Sequence, residues 1–246
     1  MIYSRRFGCE FEFSSPFDDI EKVLKTIIPK NKLKAEKTWY LSSKNKQWHL
    51  KTDATTESEL ATPISTLKDL PKIKKILDAL KEAKISITQA DSTHMHIETK
   101  DVPKHNIITA WIQIEKAILK CLPKHRRNNT YCQKLIQPHQ NDIARFLMKA
   151  ENVAQEHHSI LSLYYYDERK TIEFRGCEGS YDIKTVENWL KFYMNFLNYA
   201  KKIDPVQIIC DSHQIKTSLI DVMNLLQIKD KHIVDFLDER GTRFKH

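Results

Sequence analysis

Three short segments place ionisable side chains two residues apart: Glu10-Phe11-Glu12, His94-Met95-His96 and Glu173-Phe174-Arg175. In an extended strand, residues i and i+2 point to the same face, so each pair is a couple with apolar neighbours behind it. Taken singly, the pairs read as the wet side of a sheet, a structural histidine and a cross-strand ion pair worth little. Taken together, they supply carboxylates, two imidazoles and a guanidinium. Clustered carboxylates repel unless cations stand between them, and oxygen-rich sites with a minority of nitrogen suit Mg2+ or Mn2+. A zinc hydrolase built on the two histidines would need fewer carboxylates. An arginine beside such a cluster answers a ligand that carries phosphate oxygens.

Two further segments extend the theme. Asp53 falls just past the strand-like Trp48-His49-Leu50-Lys51, and Glu59 opens Glu59-Leu60-Ala61; in isolation both read as surface residues near a turn. The densest basic stretch runs from Pro123 to Cys132 and contains Arg126 and Arg127. It reads either as a phosphate clamp or as an exposed loop whose cations favour the C-terminal end of a preceding helix.

The elements that must hold these groups follow from periodicity. Residues 6–13 alternate, with Phe7, Cys9, Phe11 and Phe13 on one face and Gly8, Glu10 and Glu12 on the other, which predicts a half-buried strand. Strands are also expected at 48–51, 59–61, 85–89, 93–98 and 171–175, and over the β-rich stretch 159–166, with Asp167-Glu168-Arg169-Lys170 as a hairpin connection. Helical spacing predicts helices at 17–28, 69–84, 104–121, 140–156, 183–202, 214–227 and 230–239. Pro71 stands near a helix start, where its missing N–H costs little. Amphipathic strands interleaved with helices imply an α+β fold with a mainly antiparallel sheet.

The chain has 246 residues, 41% of them hydrophobic and 29% charged, which fits an ordinary globular chain and neither a disordered nor a fibrous one. No apolar run approaches the ~20 residues a membrane span needs, and the first residues lack a signal-peptide pattern, so a cytoplasmic location is expected. Five scattered cysteines without a C-x-x-C pair argue against a disulfide framework and a cysteine zinc site. The net charge of +8 favours anionic partners, nucleic acid included, although much of it lies on lysine-rich helix faces. Only four glycines occur, and each is expected where backbone geometry or close approach demands it.

In order, the segments Phe7–Phe13, Trp48–Asp53, Glu59–Pro63, Thr93–His96, Arg126–Cys132 and Thr171–Arg175 resemble the amidoligase family, ATP-dependent carboxylate–amine ligases related in catalytic fold to glutamine synthetase and glutamate–cysteine ligase. The resemblance runs from about residue 5 to residue 197. It implies a curved sheet lining the active site around two or three divalent ions that bridge the phosphates of ATP, with helices on the outer face. By that resemblance Glu10, Glu12, Glu59, His94 and Glu173 are metal ligands. His96, Arg175 and Lys51 meet phosphate oxygens, Arg126 or Arg127 steadies the transferred phosphoryl group, and Asp53 faces the amine or a metal. Two departures stand out: Asp53-Ala54-Thr55 replaces the family's usual Asp-Gly-Ser, and Thr62-Pro63 its Ser-Pro. The implied organisation is a catalytic domain over 1–202 and a helical extension over 203–246, whose Ile215, Leu219, Val222, Leu225 and Leu226 predict packing on the sheet or on a partner.

The resulting expectation is ATP-dependent amide formation between a carboxylate and an amine, with Mg2+ or Mn2+, through an acyl phosphate. Two rivals remain open at this level: a metal-dependent phosphohydrolase or nuclease using the same cluster, and a non-catalytic polyanion-binding module.

Overall fold

The computed structural model describes residues 3–38, 46–53, 55–127, 129–135, 150–210 and 215–244. The fold is α+β. Seven strands form one open, mostly antiparallel sheet in the order β2-β3-β4-β1-β5-β7-β6. The chain divides into two compact units, Ser4–His96 with Cys177–Glu187, and Ile97–Gly176 with Asn188–His246 and Met1–Tyr3.

The first unit opens with β1 (Phe7–Phe13), whose Phe7, Cys9, Phe11 and Phe13 are buried as the alternation requires. Helix α1 (Phe17–Ile27) carries Asp18 and Asp19 in its first turn and Lys25 in its last, in keeping with the helix dipole, and buries Phe17, Ile20 and Leu24. It rests on β2 (Leu33–Glu36) and β3 (Trp48–Thr52). β3 runs parallel to β2 and antiparallel to β4 (Ser58–Ala61), which in turn pairs antiparallel with β1. A capping box between Thr66 and Asp69 leads into α2 (Leu70–Glu82), which buries Leu70, Ile73, Ile76, Leu77 and Leu80. β5 (Ser92–Glu98) follows.

The strand expected at 85–89 does not form. Asp91, fully buried, accepts hydrogen bonds from the Thr88 amide (2.5 Å) and the Ser14 hydroxyl (2.8 Å), and the Ser86 amide donates to Ser15 Oγ (2.7 Å). Side chains take the backbone donors that a ladder would need, so the segment is a tied loop.

The second unit is organised by α3 (Lys104–Ile118), which is buried nearly all round. Its polar residues are matched: Glu115 Oε1 accepts from Trp111 Nε1 (2.9 Å) and from the Leu135 amide (2.8 Å), and Gln113 Oε1 accepts from Tyr199 (2.7 Å). After the single turn α4 (Lys124–Arg127), the residues 150–155 are helical; the rest of the helix expected at 140–156 lies outside the described residues. β6 is only Leu161–Ser162, pairing with Phe174 and Glu173 of β7 (Thr171–Glu178). The expected strand over 159–166 fails after Ser162 because the Leu163 amide turns to Ala154 O (2.6 Å). The connection is not a tight hairpin either but a helical turn, α5 (Tyr166–Arg169), closed by Lys170 at φ 53°. Phe174 stacks on Tyr193 of α6 (Ile183–Ala200) at 3.8 Å, within an aromatic core that includes Trp111 and Phe196.

The chain ends in α7 (Pro205–Cys210), α8 (Leu219–Leu225) and α9 (Lys231–Arg243). α7 and α8 lie against α3, and α9 against the turn 119–121. Val222 and Leu226 are buried here, whereas Ile215 is exposed. Among the described residues no helix is long and apolar enough to cross a membrane.

The glycines divide by cause. A Cβ at Gly176 would meet Leu122 Cδ1 at 3.0 Å, and one at Gly179 would meet Ile87 Cγ2 at 2.8 Å and the Asp91 carbonyl at 3.2 Å. Gly8, by contrast, has nothing within 4 Å of an added Cβ and an ordinary φ, so close packing does not require it. In denaturant titrations Gly179→Ala should lower stability by about 1–3 kcal/mol. Gly8→Ala should instead be neutral or stabilising by about 0.4–1 kcal/mol; comparable losses in both variants would contradict this packing.

Candidate active site

Strand register assembles the acidic face of the first unit. Glu12 stands opposite Glu59, and Glu59 opposite Lys51, so β1, β4 and β3 contribute one row across the sheet. The next row is Glu10, Ala61 and His49. Because residues two apart share a face, Glu10 and Glu12 stand together, and so do His49 and Lys51. Ser92, His94 and His96 occupy one face of β5 by the same rule.

The side chains converge on Glu10. Its Oε2 lies 3.3 Å from His96 Nε2 and 3.6 Å from His94 Nδ1. His94 Nε2 lies 3.5 Å from Glu12 Oε1. Two ligand atoms held about 2.1 Å from one ion at angles of 90–110° are themselves about 3.0–3.4 Å apart, close to the spacing seen here. Glu12 is further fixed by Ser92, whose amide (2.8 Å) and hydroxyl (2.5 Å) both donate to its Oε2. Lys51 Nζ reaches Glu59 Oε1 at 2.9 Å.

Electrostatics sort the three glutamates. Burial is the largest influence and raises the Glu10 carboxyl, but the charge of His96, hydrogen bonds from His94 and His96 and the charge of Lys51 together outweigh it and hold Glu10 well below the usual carboxylate range. Burial pushes Glu59 well above that range, and the charge of Glu10 adds to the rise against the opposing pull of Lys51. Lys51 is desolvated, yet Glu59 and Glu10 hold its ammonium firmly protonated. Glu12 is also buried. The face therefore crowds carboxylates beyond what its cation offsets, and this oxygen-dominated set with two imidazoles fits a hard divalent ion.

Asp53 lies beyond the end of β3 and organises its own turn. Its Oδ1 accepts from the Thr55 amide (2.8 Å), the Thr55 hydroxyl (2.6 Å) and the Thr56 amide (3.0 Å). Burial raises its carboxyl, but these hydrogen bonds prevail and lower it.

The second unit holds the late motif. Glu173 and Arg175 are buried and form an ion pair of 2.5 Å. Arg175 Nε donates to Tyr131 O (3.3 Å), and Arg126, 2% exposed, donates from Nη2 to Arg175 O (2.6 Å). The basic stretch is thus no simple exposed loop, because one of its arginines is buried beside the Glu173–Arg175 pair. Arg127, expected with the phosphate clamp, sends its donors to backbone carbonyls instead: Nε to Leu122 O (2.7 Å), and Nη2 to Lys120 O (3.2 Å) and to Phe244 O. Asn128, in the same motif, lies outside the described residues.

A family model described as "Putative amidoligase enzyme" matches residues 3–197. The chain belongs to this amidoligase family. Among solved structures it is similar to a bifunctional glutathione synthetase from Pasteurella multocida, at 12% identity and a TM-score of 0.46, covering 98% of this chain and 47% of that one. The chain therefore spans less than half the length of that protein. No curated protein matches.

Two further residues of this face escaped assignment from sequence. Ser92 carried a signal, since it stands two before His94 in the pattern Ser-x-His-x-His. His49, buried in the row of Glu10, was visible only as part of a strand. Burial pushes the thiols of Cys132 and Cys121 up to about 11 and about 12, which makes both poor nucleophiles near neutral pH.

Glu59 generates a pH prediction. Because its folded-state value is raised, its contribution to stability is fully present below the unfolded value, about 4.5, and is lost as pH rises through the folded one. In chelator-treated protein, the stability of Glu59→Gln relative to wild type should therefore increase as pH rises above about 4.5. Parallel stability–pH curves from denaturant midpoints would contradict it.

Proposed function

We propose that this amidoligase is an ATP-dependent carboxylate–amine ligase. The supporting observation is the convergence of His94 and His96 on Glu10, at 3.6 and 3.3 Å, within a face that also presents Glu12 and Glu59. Glu10, Glu12, Glu59 and His94 would hold divalent metal, and the family resemblance gives Glu173 the same role. When bound, the metal would supply Lewis-acid neutralisation of phosphate charge.

The proposed reaction has two steps. A substrate carboxylate attacks the γ-phosphorus of ATP, forming an acyl phosphate and releasing ADP. An amine then attacks the acyl carbon, expels inorganic phosphate and leaves an amide, with one proton lost from the attacking nitrogen. Phosphoryl transfer of this kind relies on positioning and electrostatic stabilisation, with little covalent work for the protein. Arg126 and Arg175 are already desolvated and hydrogen-bonded in place, so they can meet phosphoryl oxygens with little reorganisation. His96 and Lys51 would contact phosphate from the acidic face. Asp53, kept ionised by its turn, is the carboxylate assigned to the incoming amine. Arg127 is omitted, since its donors hold the chain itself.

The reading is tested by ADP release over pools of carboxylates and amines, with mass spectrometry for the new amide. ADP formation should depend on both co-substrates, and Glu10→Gln and Glu173→Gln should each lower it by at least about a hundredfold, the scale of losing one stabilising group. Wild-type rates in both variants would refute the metal roles. Phosphodiester cleavage without ATP would favour a nuclease instead.

A further inference from the structure

The metal reading leaves open which nitrogen His94 offers, and the hydrogen bonds around Ser92 answer it. Ser92 Oγ lies 2.5 Å from Glu12 Oε2 and 2.6 Å from His94 Nε2. The same Oε2 already accepts the Ser92 amide at 2.8 Å, which marks it as an acceptor. A hydroxyl has one proton, and here it is donated to Glu12. Towards His94 the serine oxygen can then only accept, so Nε2 must carry a hydrogen. That assignment comes from the hydrogen-bond network, and it leaves Nδ1 as the ring nitrogen turned towards the acidic face. Nδ1 is the atom that faces Glu10 Oε2 at 3.6 Å.

We propose that Ser92 is a positioning residue: its hydroxyl links Glu12 to His94, accepts from His94 Nε2 and turns Nδ1 towards a divalent ion shared with Glu10. The inference rests on the metal reading of this face and adds to it the ligating atom and the residue that selects it. Metal-binding histidines commonly donate their second ring nitrogen to a carboxylate or carbonyl, which fixes the ring and raises its basicity. Here a serine stands between imidazole and carboxylate. It is buried at 1% exposure, and its own amide grips the same glutamate, so the three groups move as one. Ser92 is also on the same strand as His94, and the pleat fixes their separation.

The test uses Ser92→Ala and Ser92→Thr in the full-length chain. Long-range proton–nitrogen NMR of metal-free protein reads the His94 tautomer, with the resonances assigned through His94→Gln. Mn2+ titration followed by water-proton relaxation reads affinity independently of catalysis. Wild type should show a hydrogen on His94 Nε2. Ser92→Ala should lose that preference and weaken Mn2+ binding by about ten- to a hundredfold, the usual effect of removing a ligand's supporting partner. Ser92→Thr, which keeps the hydroxyl, should restore both. A hydrogen on Nδ1 alone in wild type, or a Ser92→Ala variant with wild-type Mn2+ affinity, would overturn the role of Ser92 while leaving the metal site standing. A wild-type protein that binds no Mn2+ would overturn the metal reading, and the supporting role with it.

Discussion

Like charges on one side of a sheet organise this protein. The alternation of β1 commits Phe7, Cys9, Phe11 and Phe13 to the core, and the same geometry forces Glu10 and Glu12 onto the opposite side. The register with β4 sets Glu59 directly across from Glu12. A folded chain that stopped there would carry a costly concentration of negative charge in a partly desolvated place. The neighbours limit that cost: Lys51 across from Glu59, His94 and His96 beside Glu10, and the donors of Ser92 on Glu12. The compensation is incomplete, as the raised carboxyl of Glu59 shows. Stability is thus surrendered at a place where a cation would return it, a pattern typical of functional sites.

Much of this could be read from residue order. Period-two alternation and short apolar runs located β1, β3, β4, β5 and β7, and helical spacing located α1, α2, α3 and α6. The acidic and imidazole pairs were equally plain, since partners two apart on a strand need no tertiary information to share a side. What stayed hidden depended on contacts distant in sequence. β2, Leu33-Lys34-Ala35-Glu36, lies at the sheet edge, and its four partly exposed residues alternate too briefly to announce a strand. The segment 85–89 has the composition of a strand, yet Ser14 and Ser15, some seventy residues earlier, and Asp91 hold it as a loop. The stretch after Ser162 is rich in tyrosine but is pulled away by the Ala154 carbonyl.

The arginines illustrate the same limit. Arg126 and Arg127 are adjacent in a basic run and look interchangeable on paper. Folding separates them: one is buried beside the Glu173–Arg175 pair, and the other is a structural tie. A one-residue step around a single helical turn rotates a side chain by about 100°, enough to send two neighbours to different tasks.

That tie has a bearing on the far end of the polypeptide. Arg127 reaches the carbonyl of Phe244, and Arg240 reaches back to the carbonyl of Cys121 (2.9 Å). The final helix is therefore laced at two points to the short stretch that carries Arg126. Loosening the turn around Phe244 would therefore loosen the mount of a guanidinium more than a hundred positions upstream.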